Sequence, residues 1–296
     1  MEYAFETHGL TKRYDEVTAL DRVDLKIRRP SIVGLLGKNG SGKTTLLQHL
    51  MGLQLPNEGT VTTLARPSAT LGHDDLARIG YVPQEIRLLD WMTVDQHIDY
   101  VGCFYKNWDK KREQRLLDEL ELDRKKVVGT LSTGNLQKLA VILAVCHHPG
   151  LLVLDEPMSD LDPIVRAKLL EFLLELLRED EATILISSHV LRDVEKIVDW
   201  VVCLDQGTVV TDTGLDDLKE RYAEWHIVSI NGDLPSSFSE PYVISQEVSG
   251  RQARLLVERA TKLGEFRAAH GEMEVTSRSL NLEEMFPVLV GRREAS

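Results

Sequence analysis

Cysteine is scarce in this 296-residue chain: Cys103, Cys146 and Cys203 stand far apart inside apolar stretches. That spacing excludes both a disulfide framework and the paired ligands of a zinc site, and all three are expected to be reduced core residues. Long apolar runs are missing as well. A membrane-crossing helix needs about 20 mainly apolar residues, whereas the best stretches, Leu139 to Cys146 and Leu151 to Leu154, end at His147 and Asp155. With Glu2, Glu6 and His8 so early, the start of the chain lacks the basic segment and apolar run of a secretory leader. The expectation is a cytoplasmic protein. Positive charge is in deficit, with 35 Lys and Arg against 47 Asp and Glu and a net charge of -12. Such a surface repels the phosphate backbone that supplies most non-specific affinity for DNA or RNA, so no nucleic-acid partner is expected.

What remains is ample for a globular fold, since 43% of residues are hydrophobic and 28% charged. The length suits one large domain with a small appendage. Apolar and polar residues roughly alternate from Tyr3 to Ile27, which predicts antiparallel strands. A short apolar strand, Ser31 to Leu36, runs into a glycine-rich loop and then into Leu46, Leu47, Leu50 and Met51 at helical spacing. A mostly helical insert over about residues 85–148 opens at Thr93 and Gln96, a capping box. Beyond it, Leu151 to Leu154, Val165 to Leu177, Thr183 to Ser187, Val190 to Ile197 and Val201 to Leu204 alternate strand with helix, the pattern of a mainly parallel sheet. Past Tyr222, Pro235, Ser236, Ser237, Ser239 and Pro241 interrupt strand-like pieces. The expected organisation is a large α/β domain over residues 1–222 and a small α+β module over residues 223–296. The module ends in an amphipathic piece with Leu282, Met285, Phe286 and Leu289 on one side.

Gly37-Lys38-Asn39-Gly40-Ser41-Gly42-Lys43-Thr44 fits the phosphate-binding loop, whose glycines let backbone N–H groups close around phosphates. Lys43 is placed to reach the β- and γ-phosphates and Thr44 to offer a hydroxyl to Mg²⁺, and the helix that follows directs its positive end at the same anions. The apolar strand Leu151 to Leu154 delivers Asp155 and Glu156 at its carboxyl end, where α/β sheets bind ligands. Asp155 suits the Mg²⁺ shell, and Glu156 suits a general base for the attacking water.

These elements, in this order, resemble the ATPase subunits of ABC transporters. The resemblance covers Tyr3 to about Tyr222 and implies a P-loop NTPase core with an antiparallel β subdomain and a helical insert. ATP and Mg²⁺ are the cofactors it implies. Tyr14 then stacks on adenine. Gly37, Asn39, Gly40, Gly42, Lys43, Thr44 and Thr45 hold the phosphates, and Gln84, in Tyr81-Val82-Pro83-Gln84, joins Thr44 and Asp155 near the metal. His189 contacts the γ-phosphate and holds Glu156, while Ser159-Asp160-Leu161-Asp162 passes information across a dimer. The family's signature reads Leu131-Ser132-Thr133-Gly134-Asn135 here, opening a helix expected from Leu136 to His147. Ser132 and Gly134 are retained to bind the nucleotide of an opposite subunit. Thr133 and Asn135 replace a glycine and a glutamine, at a cost if position 133 needs a left-handed backbone.

Because one phosphate loop and one signature are present, the resemblance implies a homodimer or a heterodimer with a related ATPase. It also implies a separate membrane-spanning permease, so that the chain sits on the inner face of the cell membrane. The signature, the stretch Asp155 to Pro163 and the tail Ser279 to Phe286 look like those of drug, antibiotic and lipid exporters. The alternative is a soluble ABC-type ATPase acting on ribosomes or nucleic acid, a class that usually carries tandem ATPase domains or coiled-coil inserts not seen here. Trp91, Tyr100, Phe104, Tyr105 and Trp108 in the insert either form a groove for a partner's helix or fill the insert's own core. His147-His148 reads as a helix end, and Asp109-Lys110-Lys111-Arg112-Glu113 as a solvated helix start.

Overall fold

A computed structural model describes residues 3–159 and 161–291. Asp160 of the expected dimer loop and residues 292–296 of the expected tail module lie outside them. The chain divides into two compact units, Met1–Asp212 and Thr213–Ser296.

In the first unit β1 (Tyr3–Tyr14), β2 (Val17–Arg28) and β3 (Ile32–Leu36) lead into α1 (Lys43–Leu50). There follow β4 (Glu58–Thr63), β5 (Arg66–Pro67), α2 (His73–Leu76) and β6 (Ile79–Val82), then the helical insert of α3 (Val94–Gly102), α4 (Lys110–Glu119) and α5 (Thr133–Val145). Strand and helix then alternate through β7 (Leu151–Asp155), α6 (Pro163–Asp180), β8 (Thr183–Ser187), the single turn α7 (Leu191–Val194), β9 (Trp200–Asp205) and β10 (Thr208–Gly214).

Two sheets result. The outer one has the order β2-β1-β4-β5, with each neighbouring pair antiparallel. Its alternation is clear in β2, where Val23, Leu25 and Ile27 are buried and Asp24, Lys26 and Arg28 exposed, as expected when one face meets the core and the other water. The central sheet has the order β10-β9-β3-β8-β7-β6, with β9-β3, β3-β8, β8-β7 and β7-β6 parallel. Every residue of β3, β7 and β8 is buried, which explains their continuous apolar runs. Because β8 lies between β3 and β7, the carboxyl ends of these three strands meet at one edge of the sheet.

The insert departs from expectation at three places. Helix α5 starts at Thr133 and not at Leu136, because Ser132 is its cap and accepts from the Asn135 N–H at 3.3 Å. Thr133 is absent from the non-glycine residues of positive φ, so its β-branched side chain meets no left-handed backbone. Cys103, expected in the core, is exposed just past the end of α3, where its thiol donates to Tyr100 O. Cys146 and Cys203 are buried, and burial pushes each thiol up to about 12. The charge run at the start of α4 is only partly solvated. Asp109 caps the helix, but Arg112 and Glu113 are buried, Arg112 against Asp180 at 2.7 Å and Glu113 among Trp108, Lys110 and Arg124. The capping box at Thr93 and Gln96 forms as read.

The aromatic residues of the insert divide between its surface and its interior. Trp91, Tyr100 and Phe104 are exposed, whereas Tyr105 packs against Trp108 and stacks on the buried His147 ring at 4.1 Å. His148 bridges Asp109 and Asp180.

The second unit begins ahead of Tyr222, since α8 (Leu215–Arg221) packs on β11 (Tyr222–Ser229) and buries Leu215 and Leu218. It continues through β12 (Val243–Ser249), β13 (Gln252–Glu258), α9 (Leu263–Ala269), β14 (Met273–Ser279) and α10 (Leu282–Gly291). Its antiparallel sheet has the order β12-β13-β11-β14, and its core gathers Trp225, Leu255, Val257 and Phe266. Among the described residues no helix is long and apolar enough to cross a membrane.

Candidate functional site

The loop between β3 and α1 folds as its glycines require. Gly40 and Gly42 take φ of 78° and 105°, a region side chains disfavour, and a Cβ on Gly42 would stand 2.5 Å from Ala19 O. Gly42 is also the cap of α1 and offers no side-chain acceptor, so the first N–H groups of that helix face outward with their positive partial charge. Lys43 is folded back over the loop, its ammonium donating to Gly37 O at 2.9 Å and Lys38 O at 3.3 Å.

Strand β7 supplies the acids. Asp155 is buried, and its two oxygens are both engaged: Thr44 Oγ1 donates to Oδ2 at 2.7 Å and Ser187 Oγ to Oδ1 at 2.6 Å. Ser187 Oγ also accepts the Glu156 N–H at 2.9 Å. Glu156 itself takes φ of 52°, turning the chain sharply out of the strand. Its Oε2 is met by the His189 N–H at 3.2 Å and by His189 Nδ1 at 2.7 Å. Residues from the start of α1 and the ends of β7 and β8 thus form one continuous hydrogen-bonded chain, Thr44, Asp155, Ser187, Glu156 and His189. Burial, and then the negative Asp155, push the neighbouring Tyr81 hydroxyl up to about 12, so it stays neutral at any working pH.

This chain borders a cavity of about 580 Å³, a size that suits a nucleotide or similar small molecule. Tyr14, Asn39, Gly40, Gly42, Lys43, Thr44, Thr45, Gln84, Asp155 and Glu156 line it. His189 joins it through Glu156, and Gly37 lies beneath Lys43. Ser132, Gly134 and Asp162 do not line it. Ser132 and Gly134 stand at the start of α5, and Asp162 caps α6, its Oδ1 accepting from Ile164 and Val165 at 3.0 Å. Those backbone N–H groups, Val165 foremost, hold the Asp162 carboxyl below its ordinary range.

Two participants escaped the sequence reading. Ser187 looks like the end of an apolar strand until β8 is paired with β7 in the register that sets it beside Asp155. Gln206 lines the cavity from the tight turn after β9, where it takes φ of 45° ahead of Gly207 at 77°. A Gln-Gly pair between two apolar strands was the available signal.

Comparison with known proteins agrees with this geometry. A family described as ABC transporter matches residues 20–159. The bacitracin transport ATP-binding protein BcrA of Enterococcus faecalis is 32% identical, over 77% of this chain and 75% of that protein. The Nod factor export ATP-binding protein I of Ralstonia nicotianae is 31% identical, over 96% of this chain and 92% of that protein. Among solved structures, an ATP-binding subunit of an ABC transporter is 28% identical with a TM-score of 0.65, covering 73% of this chain and 92% of that one. A dimeric bacterial ABC transporter cassette is 25% identical with the same TM-score of 0.65, covering 71% of this chain and 98% of that one.

Proposed function

Since this chain belongs to the ABC transporter ATP-binding proteins, we propose that it hydrolyses ATP to drive export through a separate membrane-spanning subunit, on whose cytoplasmic side it sits. The observation that carries the reading is the unbroken chain from Thr44 through Asp155, Ser187 and Glu156 to His189 at the edge of the cavity.

The phosphates lie against Gly40, Gly42, Lys43, Thr44 and Thr45, where backbone N–H groups, the Lys43 ammonium and the start of α1 oppose their charge. Lys43 exchanges its two carbonyl acceptors for phosphate oxygens. Thr44, Asp155 and Gln84 offer only oxygen donors, the set that a hard divalent ion such as Mg²⁺ selects. When bound there, Mg²⁺ neutralises the charge on the β- and γ-phosphates. Glu156 takes the proton of the attacking water, and His189 fixes the orientation of its carboxylate. Tyr14 supports the adenine.

Ser132, Gly134 and Asp162 complete the site of a second ATPase subunit, identical or related, and not their own. Ser132 Oγ accepts from Asn135 but keeps its own proton to donate, and the Gly134 N–H is in the unpaired first turn of α5. ATP then holds two subunits together and hydrolysis releases them.

Affinity purification of this chain from gently solubilised native membranes, with mass spectrometry of its companions, tests the proposal. A polytopic membrane protein in near-equal amount is the expected result. Recovery of soluble or ribosomal partners alone overturns the export reading and leaves the ATP chemistry standing.

A further inference from the structure

Tyr14 is 41% exposed and lies at the end of β1. The structure holds it from outside. Its hydroxyl donates to Gln54 Oε1, and Gln54 Nε2 donates to Gln48 Oε1 at 2.5 Å. Gln48 belongs to α1, the helix that follows the phosphate loop. The ring is therefore tied, through one side chain, to the element that carries Lys43 and Thr44.

The segment bearing Gln54 is itself pinned at several points. Leu53 N–H donates to Gln48 O at 2.9 Å, and Asn57 N–H to Thr11 O at 2.9 Å. Arg13 N–H donates to Asn57 Oδ1 at 2.7 Å. Lys12 Nζ donates to Leu55 O at 2.9 Å and stands 5.1 Å from the Tyr14 ring centroid. Lys12 does not line the cavity, and Tyr14 does. One ring face thus carries a cation, and the ring borders the cavity.

We propose that Gln54 is a positioning residue for nucleotide binding: with Gln48 it locks the Tyr14 ring at a fixed distance from the phosphate loop, so that base and phosphates are gripped together. The inference rests on the reading of the cavity as an ATP site. Its physical basis is pre-organisation, since a ring already held in place loses less freedom when a base stacks on it. Gln54 touches no nucleotide itself and acts only through Tyr14.

Two ligands separate this role from a structural one: ATP, and inorganic triphosphate, which has no base. Gln54→Leu is expected to weaken ATP binding by about 3- to 10-fold, the range of one lost hydrogen bond, and to raise KM with little change in kcat. Triphosphate binding is expected to stay within about 2-fold of the unaltered protein, well under that range. Gln54→Glu is expected to restore ATP affinity, because its carboxylate accepts from the Tyr14 hydroxyl while the Gln48 amide turns its NH₂ toward it. Tyr14→Phe is expected to match Gln54→Leu, and the double variant to be no worse than either. Unchanged ATP affinity in Gln54→Leu overturns the inference, as does an equal loss for ATP and triphosphate, which marks a general disturbance of the loop. If the unaltered protein binds ATP no better than triphosphate, the adenine role of Tyr14 fails first, and the inference falls with it.

Discussion

His189 meets Glu156 twice at one oxygen, Oε2, through its ring Nδ1 at 2.7 Å and its backbone N–H at 3.2 Å. The second contact is independent of the ring, so the carboxylate is restrained by the backbone as well as by the imidazole. The two residues lie at the ends of neighbouring strands, β7 and β8, and the register between those strands sets their distance.

Replacing Glu156 by Gln preserves the shape of the site and removes the proposed base. ATP hydrolysis is expected to fall by about 100-fold or more, while ATP binding persists. Size-exclusion chromatography of this variant with ATP and Mg²⁺ is expected to show a dimer, which disappears on exchange to ADP. A variant that hydrolyses ATP at the unaltered rate removes Glu156 from the mechanism.

Ser187→Ala tests the centre of the hydrogen-bonded chain. It deprives buried Asp155 Oδ1 of a donor and the Glu156 N–H of an acceptor. The expected cost is about 1–3 kcal/mol of stability, together with a lower kcat, because both acids lose a restraint. Urea unfolding and steady-state kinetics on one preparation read both effects. Ser187→Thr, which keeps the hydroxyl, is expected to fall between the two.

His147 gives the fold an acid sensitivity with a definite sign. Burial outweighs its contact with Ile79 O and lowers it from 6.5 to about 4. The unfolded chain therefore takes up a proton that the folded chain refuses. Its contribution is fully present above pH 6.5, declines as pH falls from 6.5 to about 4, and is level below that. By pH 5 the loss is about 2 kcal/mol. His147→Phe keeps a ring against Tyr105 and cannot titrate, so its unfolding free energy is expected to change less between pH 7.5 and pH 5. Parallel slopes for the two proteins discount His147 as the source.

Arg112 fastens α4 to the last turn of α6 by two bonds to Asp180, at 2.7 and 3.2 Å, and reaches Val145 O at 3.3 Å. Burial works against the charge on Asp180, but Arg112 and His148 together keep its carboxyl below the usual range. Arg112→Ala leaves that carboxylate with His148 alone and is expected to destabilise by about 3 kcal/mol. Arg112→Met combined with Asp180→Leu is expected to recover most of the loss, since paired removal leaves no buried charge alone. Thermal melts of the single and double variants distinguish these outcomes.

Legibility in sequence followed the range of the interactions involved. Gly37 to Thr45, the Thr93 capping box and the strand ending at Asp155 are local, and each is readable because a few adjacent residues decide the backbone. Ser187 is hidden because its partner Asp155 lies on β7, 32 residues earlier. Arg112 and Glu113 look solvated in sequence because a charge run normally is. Their burial depends on Asp180, Trp108 and Arg124, whose arrival no short window shows. The start of α5 is masked in sequence because Thr133 and Gly134 are poor helix formers, and the Ser132 cap overrides their propensity.

The placing of β8 between β3 and β7 has a consequence for biosynthesis. A nascent chain that has reached only Asp180 already carries its phosphate loop and Asp155, but the strand that must lie between them has not yet been made. Until Thr183–Ser187 slots in, the two halves of the site have no shared ladder, and Glu156 has neither Ser187 nor His189. The ribosome thus makes the phosphate loop and the acids before the strand that joins them, so the site assembles only once β8 has been made.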